Sequence, residues 1–201
     1  MDLKDYLSQV ACKNDVDLSS LQLPSYEVDR TTIKVIMISE VPPSDAEDGF
    51  YSSRADAEYV RSAIGLFKAA GVNVSSMSEI LDMGVYITTA IKTPKSGYIV
   101  EPGILRSHLP ILRAELALFP NLKVIMLMGD VAKKAVNMIT KAETKKNVIP
   151  TGATGRLRHN EYFWGDIRVI PSYIMTGKNL LIEPFKRDCI VEAIVKMMEV
   201  K

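Results

Sequence analysis

Four short runs of apolar, largely β-branched residues recur along the chain, and each is too brief for a helix and too continuous for a half-exposed strand. They are Ile33 to Ile38, Gly84 to Thr89, Lys123 to Met128 and Ile167 to Ile170. Runs of this length and composition suit strands covered on both faces. Between them the period changes. Ala55 through Ala70 places Ala55, Tyr59, Ala63, Leu66, Phe67 and Ala70 at helical spacing, with Gly71 as a stop. Gly103 to Phe119 does the same with Leu105, Leu109, Leu112 and Leu116 ahead of Pro120, and Asp130 to Thr140 and Glu183 to Val200 read as further helices. Strands alternating with helices predict an α/β fold, a three-layer α/β/α sandwich around a mostly parallel, four-stranded central sheet. Arg156 to Phe163 adds an edge strand or hairpin, and Pro171 ends the last core strand.

The first 30 residues stand apart from this alternation. Leu3 to Val10 forms a short amphipathic helix, and Asp15 to Arg30 reads as an irregular acidic connection turning at Pro24. Two segments follow: an N-terminal helical and irregular extension over 1–30, and the α/β domain over 31–201.

A 47% apolar share in 201 residues is that of a chain with a sizeable core, not of a disordered one. No apolar run approaches the roughly 18 residues of a membrane span, and the start, MDLKDYLSQV, lacks the basic and apolar regions of a secretory signal. Cys12 and Cys189 are far apart and read as free thiols. No membrane, a reducing compartment and a cytoplasmic location are the expectation. Net charge is only +1, but residues 1–60 hold five Lys/Arg against twelve Asp/Glu, and the remainder is correspondingly basic. Such a division can put a basic face on a neutral protein and draw a polyanion to it, or it can be solvated charge with no partner.

In a parallel sheet the loops at the carboxyl ends of the strands line the ligand crevice, so chemistry is sought after each strand. The first loop reads Ser39-Glu40-Val41-Pro42-Pro43, then Gly49-Phe50-Tyr51. A carboxylate there binds a base edge, orients water or serves as a general base; equally, it caps the loop or pairs with a lysine. In the second loop Thr88 and Thr89 each donate and accept hydrogen bonds, and Lys92 is placed to meet a phosphate or to be solvated. The third, Met128-Gly129-Asp130, is a tight strand-to-helix turn with Asp130 as its cap. The fourth, Pro171 to Asn179, offers Thr176, Gly177, Lys178 and Asn179 as groups able to grip a nucleic-acid backbone. No phosphate loop, dinucleotide fingerprint or G-x-S-x-G elbow occurs, and His108 and His159 do not sit at metal-ligand spacing, so neither a metal nor a cofactor is expected.

These four loops, in this order, resemble the motif loops of the uracil-DNA glycosylase superfamily over about Thr32 to Met197. Its G-E-x-P-G loop is matched by S-E-V-P-P (Ser39 to Pro43), its T-N-x-V-K-C by T-T-A-I-K-T (Thr88 to Thr93), its L-G-x-x-A by Leu127 to Ala132, and its P-T-Y-H-P-S by P-S-Y-I-M-T (Pro171 to Thr176). The resemblance implies a uracil-DNA glycosylase-like fold and a DNA-repair hydrolase that takes a damaged or deaminated base out of single- or double-stranded DNA. It further implies a base site at Val41, Phe50, Thr88, Thr89 and Ile174, with Phe50 stacking on the base. Glu40 becomes the catalytic candidate, and Lys92, Thr176, Gly177, Lys178 and Asn179 contact DNA. The departures fall on the chemistry. Ile174 stands where the family often has the His that stabilises the leaving base, Thr89 where an Asn reads uracil, and Val41 where several branches place a water-activating Asp or Asn. The iron–sulfur cysteines of one branch are absent. The alternative is a catalytically degenerate nucleic-acid or nucleotide-binding module on the same fold.

Overall fold

The computed structural model describes residues 2–25, 27–94, 100–177 and 183–199. Its strands are β1 (Val35–Ser39), β2 (Val85–Thr89), β3 (Val124–Met128), β4 (Tyr162–Trp164) and β5 (Ile167–Ser172). Its α-helices are α1 (Leu3–Lys13), α2 (Glu58–Ala69), α3 (Met77–Asp82), α4 (Pro102–Leu116), α5 (Asp130–Thr144), α6 (Thr154–Leu157) and α7 (Pro184–Glu199). The sheet order is β2-β1-β3-β5-β4, with four parallel strands and β4 antiparallel at one edge.

The sheet therefore has five strands rather than four. The polar stretch before the last core strand holds a single helical turn, α6, and then β4, whose Tyr162 pairs with Val169 and Trp164 with Ile167. That pairing stops at Val169, which also explains a second difference: β5 continues through Pro171 to Ser172. Proline has no N–H to give, and beyond Val169 no β4 residue asks for one. Helix α3 lies outside the expected helices; it is a six-residue piece capped by Ser76, whose Oγ accepts from Glu79 N at 3.2 Å.

Alternation along the strands divides the core in two. Ile36 and Ile38 of β1 join Tyr86, Ile125 and Leu127 beneath α1, α4 and α5. Val35 and Met37 face the other way with Ile87 and Met126, under α2, α3 and α7. Every residue of β1, β2 and β3 is buried, as double coverage requires. The chain leaves β1 and β5 toward one face and β2 and β3 toward the other. The loops thus part at the carboxyl edge, and crevices open there.

The N-terminal extension is part of this edge. Leu3, Leu7 and Ala11 of α1 are fully buried, with Leu7 and Ala11 against Ile111 of α4. The segment that follows runs along the carboxyl rim as a strap: Gln22 N donates to Lys92 O at 2.7 Å, and Gln22 Nε2 to Pro43 O at 3.0 Å. No helix among the described residues is long and apolar enough to cross a membrane.

Candidate functional site

Two hollows lie at the carboxyl rim. The first, of about 460 Å³, is within the usual size of small-molecule sites and lies between the loops after β1 and β2 and the strap. Pro43, Phe50, Tyr51, Thr88 and Thr89 are among its walls. The second, of about 390 Å³, lies between the loops after β1, β3 and β5 and is lined by Glu40, Gly129, Tyr173, Ile174, Thr176 and Lys186, among others. The expected residues are therefore brought to one rim but divided between two hollows, with Phe50 and Thr89 in the first and Glu40, Ile174 and Thr176 in the second.

Local chemistry explains each placement. Glu40 follows β1 directly, and its Oε1 accepts from Val131 N at 3.0 Å, one of the unpaired amides at the start of α5. Asp130, expected as the cap, is instead the first helical residue and pairs with Lys133 at 2.7 Å. The cap position belongs to Gly129, which has no side chain to offer, so the carboxylate arrives from another strand. Gly129 has φ +99°, and a Cβ there would stand 2.4 Å from Glu40 Oε1 and 2.7 Å from Ile174 Cγ1. Glycine is what lets the carboxylate and the isoleucine close over the helix start.

Phe50 is only 5% exposed; its ring tilts against Tyr59 with centroids 4.9 Å apart and belongs to the core as much as to the hollow. Tyr59, on α2, lies within hydrogen-bonding reach of Thr176, and burial raises its phenol above the ordinary value. It touches one wall residue of each hollow, Phe50 and Thr176, yet in the sequence it reads only as one more apolar position of a helix. Tyr51 covers the outer edge of β2: its ring stacks at 6.1 Å on Tyr86, and its hydroxyl accepts from Ile87 N at 3.0 Å. Val41 packs half-buried against the α4–α5 face of the core and lines neither hollow. Gly177 adopts φ +94°, and Lys178 and Asn179 lie outside the described residues.

Lys92 requires a correction. Its side chain is 1% exposed and its Nζ donates to Thr88 Oγ1 at 2.6 Å, Thr89 O at 2.7 Å and Glu115 Oε2 at 2.6 Å. All three ammonium hydrogens are used, so none remains for a DNA phosphate. Burial pulls its pKa down, and Glu115 works against that fall. Glu115 also accepts from Tyr86 Oη at 2.5 Å and Thr88 Oγ1 at 2.8 Å. Thr88 thus spends its hydroxyl inward. Thr89 is 7% exposed, and among the described residues its hydroxyl makes no hydrogen bond. Glu115 is not among the residues expected at the site, although an acid between Leu112 and Leu116 on a helix's apolar face is a visible sign of buried polar chemistry.

His108 joins the same neighbourhood. Its Nε2 is 3.4 Å from Thr93 Oγ1, its Nδ1 is buried without a partner, and burial together with the nearby Lys92 charge lowers its pKa to about 4. It is a neutral core histidine. Among the described residues no group of three or more His, Cys, Asp or Glu side chains is placed to hold a metal ion. No protein-family model matches the chain, and no curated protein does.

Proposed function

We propose that this protein is a uracil-DNA glycosylase-like protein that takes a base turned out of DNA into the first hollow and hydrolyses its glycosidic bond. The observation that carries this reading is the meeting of Phe50 and Thr89, from different loops, in one hollow at the carboxyl rim. There the phenyl ring gives a stacking surface and the unspent hydroxyl a polar contact for a base edge. Strand β1 runs between β2 and β3; in this reading the base sits in the first hollow, its sugar–phosphate lies toward the second, and Glu40, in the loop after β1, is the group that faces the glycosidic bond. One oxygen of that carboxylate is held by α5, and the other is left to orient water. Thr176 and Gly177 supply the strand contact. Two unpaired cysteines fit a cytoplasmic setting.

A second reading, a binding module that does not cut, is favoured by the same Glu40. A carboxylate engaged as a helix cap has a structural reason to be there, and Ile174 stands in the sequence where the resemblance implies the His that stabilises a leaving base.

One experiment separates them. Purified protein is incubated with single- and double-stranded uracil oligonucleotides, and abasic sites are then cleaved with alkali. Glu40→Gln keeps an oxygen for Val131 N but removes the basic group, so excision falls about 10²-fold or more with little change in thermal midpoint. No product on uracil, hypoxanthine or xanthine rejects excision and leaves binding, measured as DNA affinity that declines with salt.

A further inference from the structure

We propose that Gln22, on the N-terminal strap, is a base-contacting residue of the first hollow and takes an N–H from the edge of a keto base such as uracil. The inference rests on the reading of that hollow as a base site and goes beyond it, because it assigns part of the recognition to the segment that precedes β1.

The orientation of the Gln22 amide follows from its partner. Pro43 O can only accept, so the atom 3.0 Å from it is the Nε2 donor, and Oε1 points elsewhere. The backbone is pinned as well, by the 2.7 Å bond from Gln22 N to Lys92 O. One residue thus ties the strap to the loops after β1 and β2, and it is half-buried in the wall of the hollow. Among the described residues its Oε1 accepts no hydrogen bond. The oxygen is not buried, so it stands open as an acceptor that solvent or a ligand N–H entering the hollow can meet.

Its surroundings sharpen the assignment. Pro42 and Pro43 bring no N–H to the hollow, the Thr88 hydroxyl is given to Glu115, and the Lys92 ammonium is fully used. Thr89 has a hydroxyl but no amide. An edge that presents an imide N–H next to a carbonyl needs an acceptor next to a donor. The Gln22 amide has both, since one Nε2 hydrogen remains after Pro43 is served.

The test uses the full-length protein and two probes, free uracil and 3-methyluracil, which lacks the N–H, titrated by ligand NMR. Wild type is expected to bind uracil roughly fivefold to tenfold more tightly than the methylated base. Gln22→Leu is expected to bring the two within about twofold while leaving 3-methyluracil affinity nearly unchanged. Gln22→Glu keeps an acceptor but cannot donate to Pro43 O; it is expected to retain the preference for uracil. Preference undiminished in Gln22→Leu overturns the contact and leaves the base site standing. An equal fall for both probes also overturns it, making Gln22 a pin for the strap. Failure of wild type to bind either probe overturns the base site itself, and the Gln22 contact with it.

Discussion

Lys92 and Glu115 meet at 2.6 Å with side chains 1% and 0% exposed, tying the loop after β2 to α4 underneath the first hollow. Removing both charges from water is costly, and their attraction is complete only because Thr88, Thr89 and Tyr86 satisfy the remaining hydrogen-bonding groups. Removing one partner leaves an uncompensated buried charge. Glu115→Leu or Lys92→Met alone should each cost about 3–5 kcal/mol in denaturant unfolding, whereas the double change should cost clearly less than their sum. Additive losses in that cycle would mean the pair is not coupled.

Gly129 tests how tightly the rim is built. Gly129→Ala forces a φ near +99° on an L side chain and drives a methyl to within 2.4 Å of Glu40 Oε1. A loss of about 1–3 kcal/mol is expected, read from the shift in urea midpoint. Removing the obstructing carboxylate in Gly129→Ala/Glu40→Ala should recover part of that loss relative to Glu40→Ala alone. The strain of the backbone remains, and so does the 2.7 Å approach to Ile174.

Glu40 itself carries a separable structural term. Its Oε1 satisfies an amide at the start of α5 and sets a negative charge near the helix's positive end. Glu40→Ala should therefore lower stability by about 0.5–2 kcal/mol, and Glu40→Gln by only a few tenths. Equal losses in the two variants would show that charge, not the hydrogen bond, is what α5 uses.

The parallel strands were legible because burial on both faces writes itself as continuous apolar runs, and Val35, Tyr86, Val124 and Val169 all fall inside the expected segments. Strand β4 was only half legible: three residues with half-exposed or exposed side chains leave almost no pattern. The rim was harder still. Order along the chain puts Glu40 and Phe50 in one loop, but spacing does not reveal that one turns toward α5 and the other toward α2. Lys92 after a strand reads as a surface charge until Glu115, 23 positions away, is brought against it. Gln22 has no local signature at all, since both its bonds depend on tertiary closure of the strap.

His108 makes the stability depend on pH. Buried on α4 with Nδ1 unpartnered and the Lys92 charge nearby, it has a folded-state pKa of about 4 against an ordinary value of 6.5. The unfolded chain therefore binds its proton first as pH falls. Between about 6.5 and about 4 the unfolded state holds more protons than the native one, so unfolding free energy drops across that window and levels off below it. Other groups titrate there too, notably carboxylates, so the His108 share is isolated as the difference between wild type and His108→Phe, a similarly sized side chain with no titrating group. Urea unfolding at pH 7, 6, 5 and 4 should show wild type losing stability faster than the variant, with the gap opening below about pH 6.5. Parallel curves would mean that the imidazole is protonated as easily in the folded protein as in the unfolded chain.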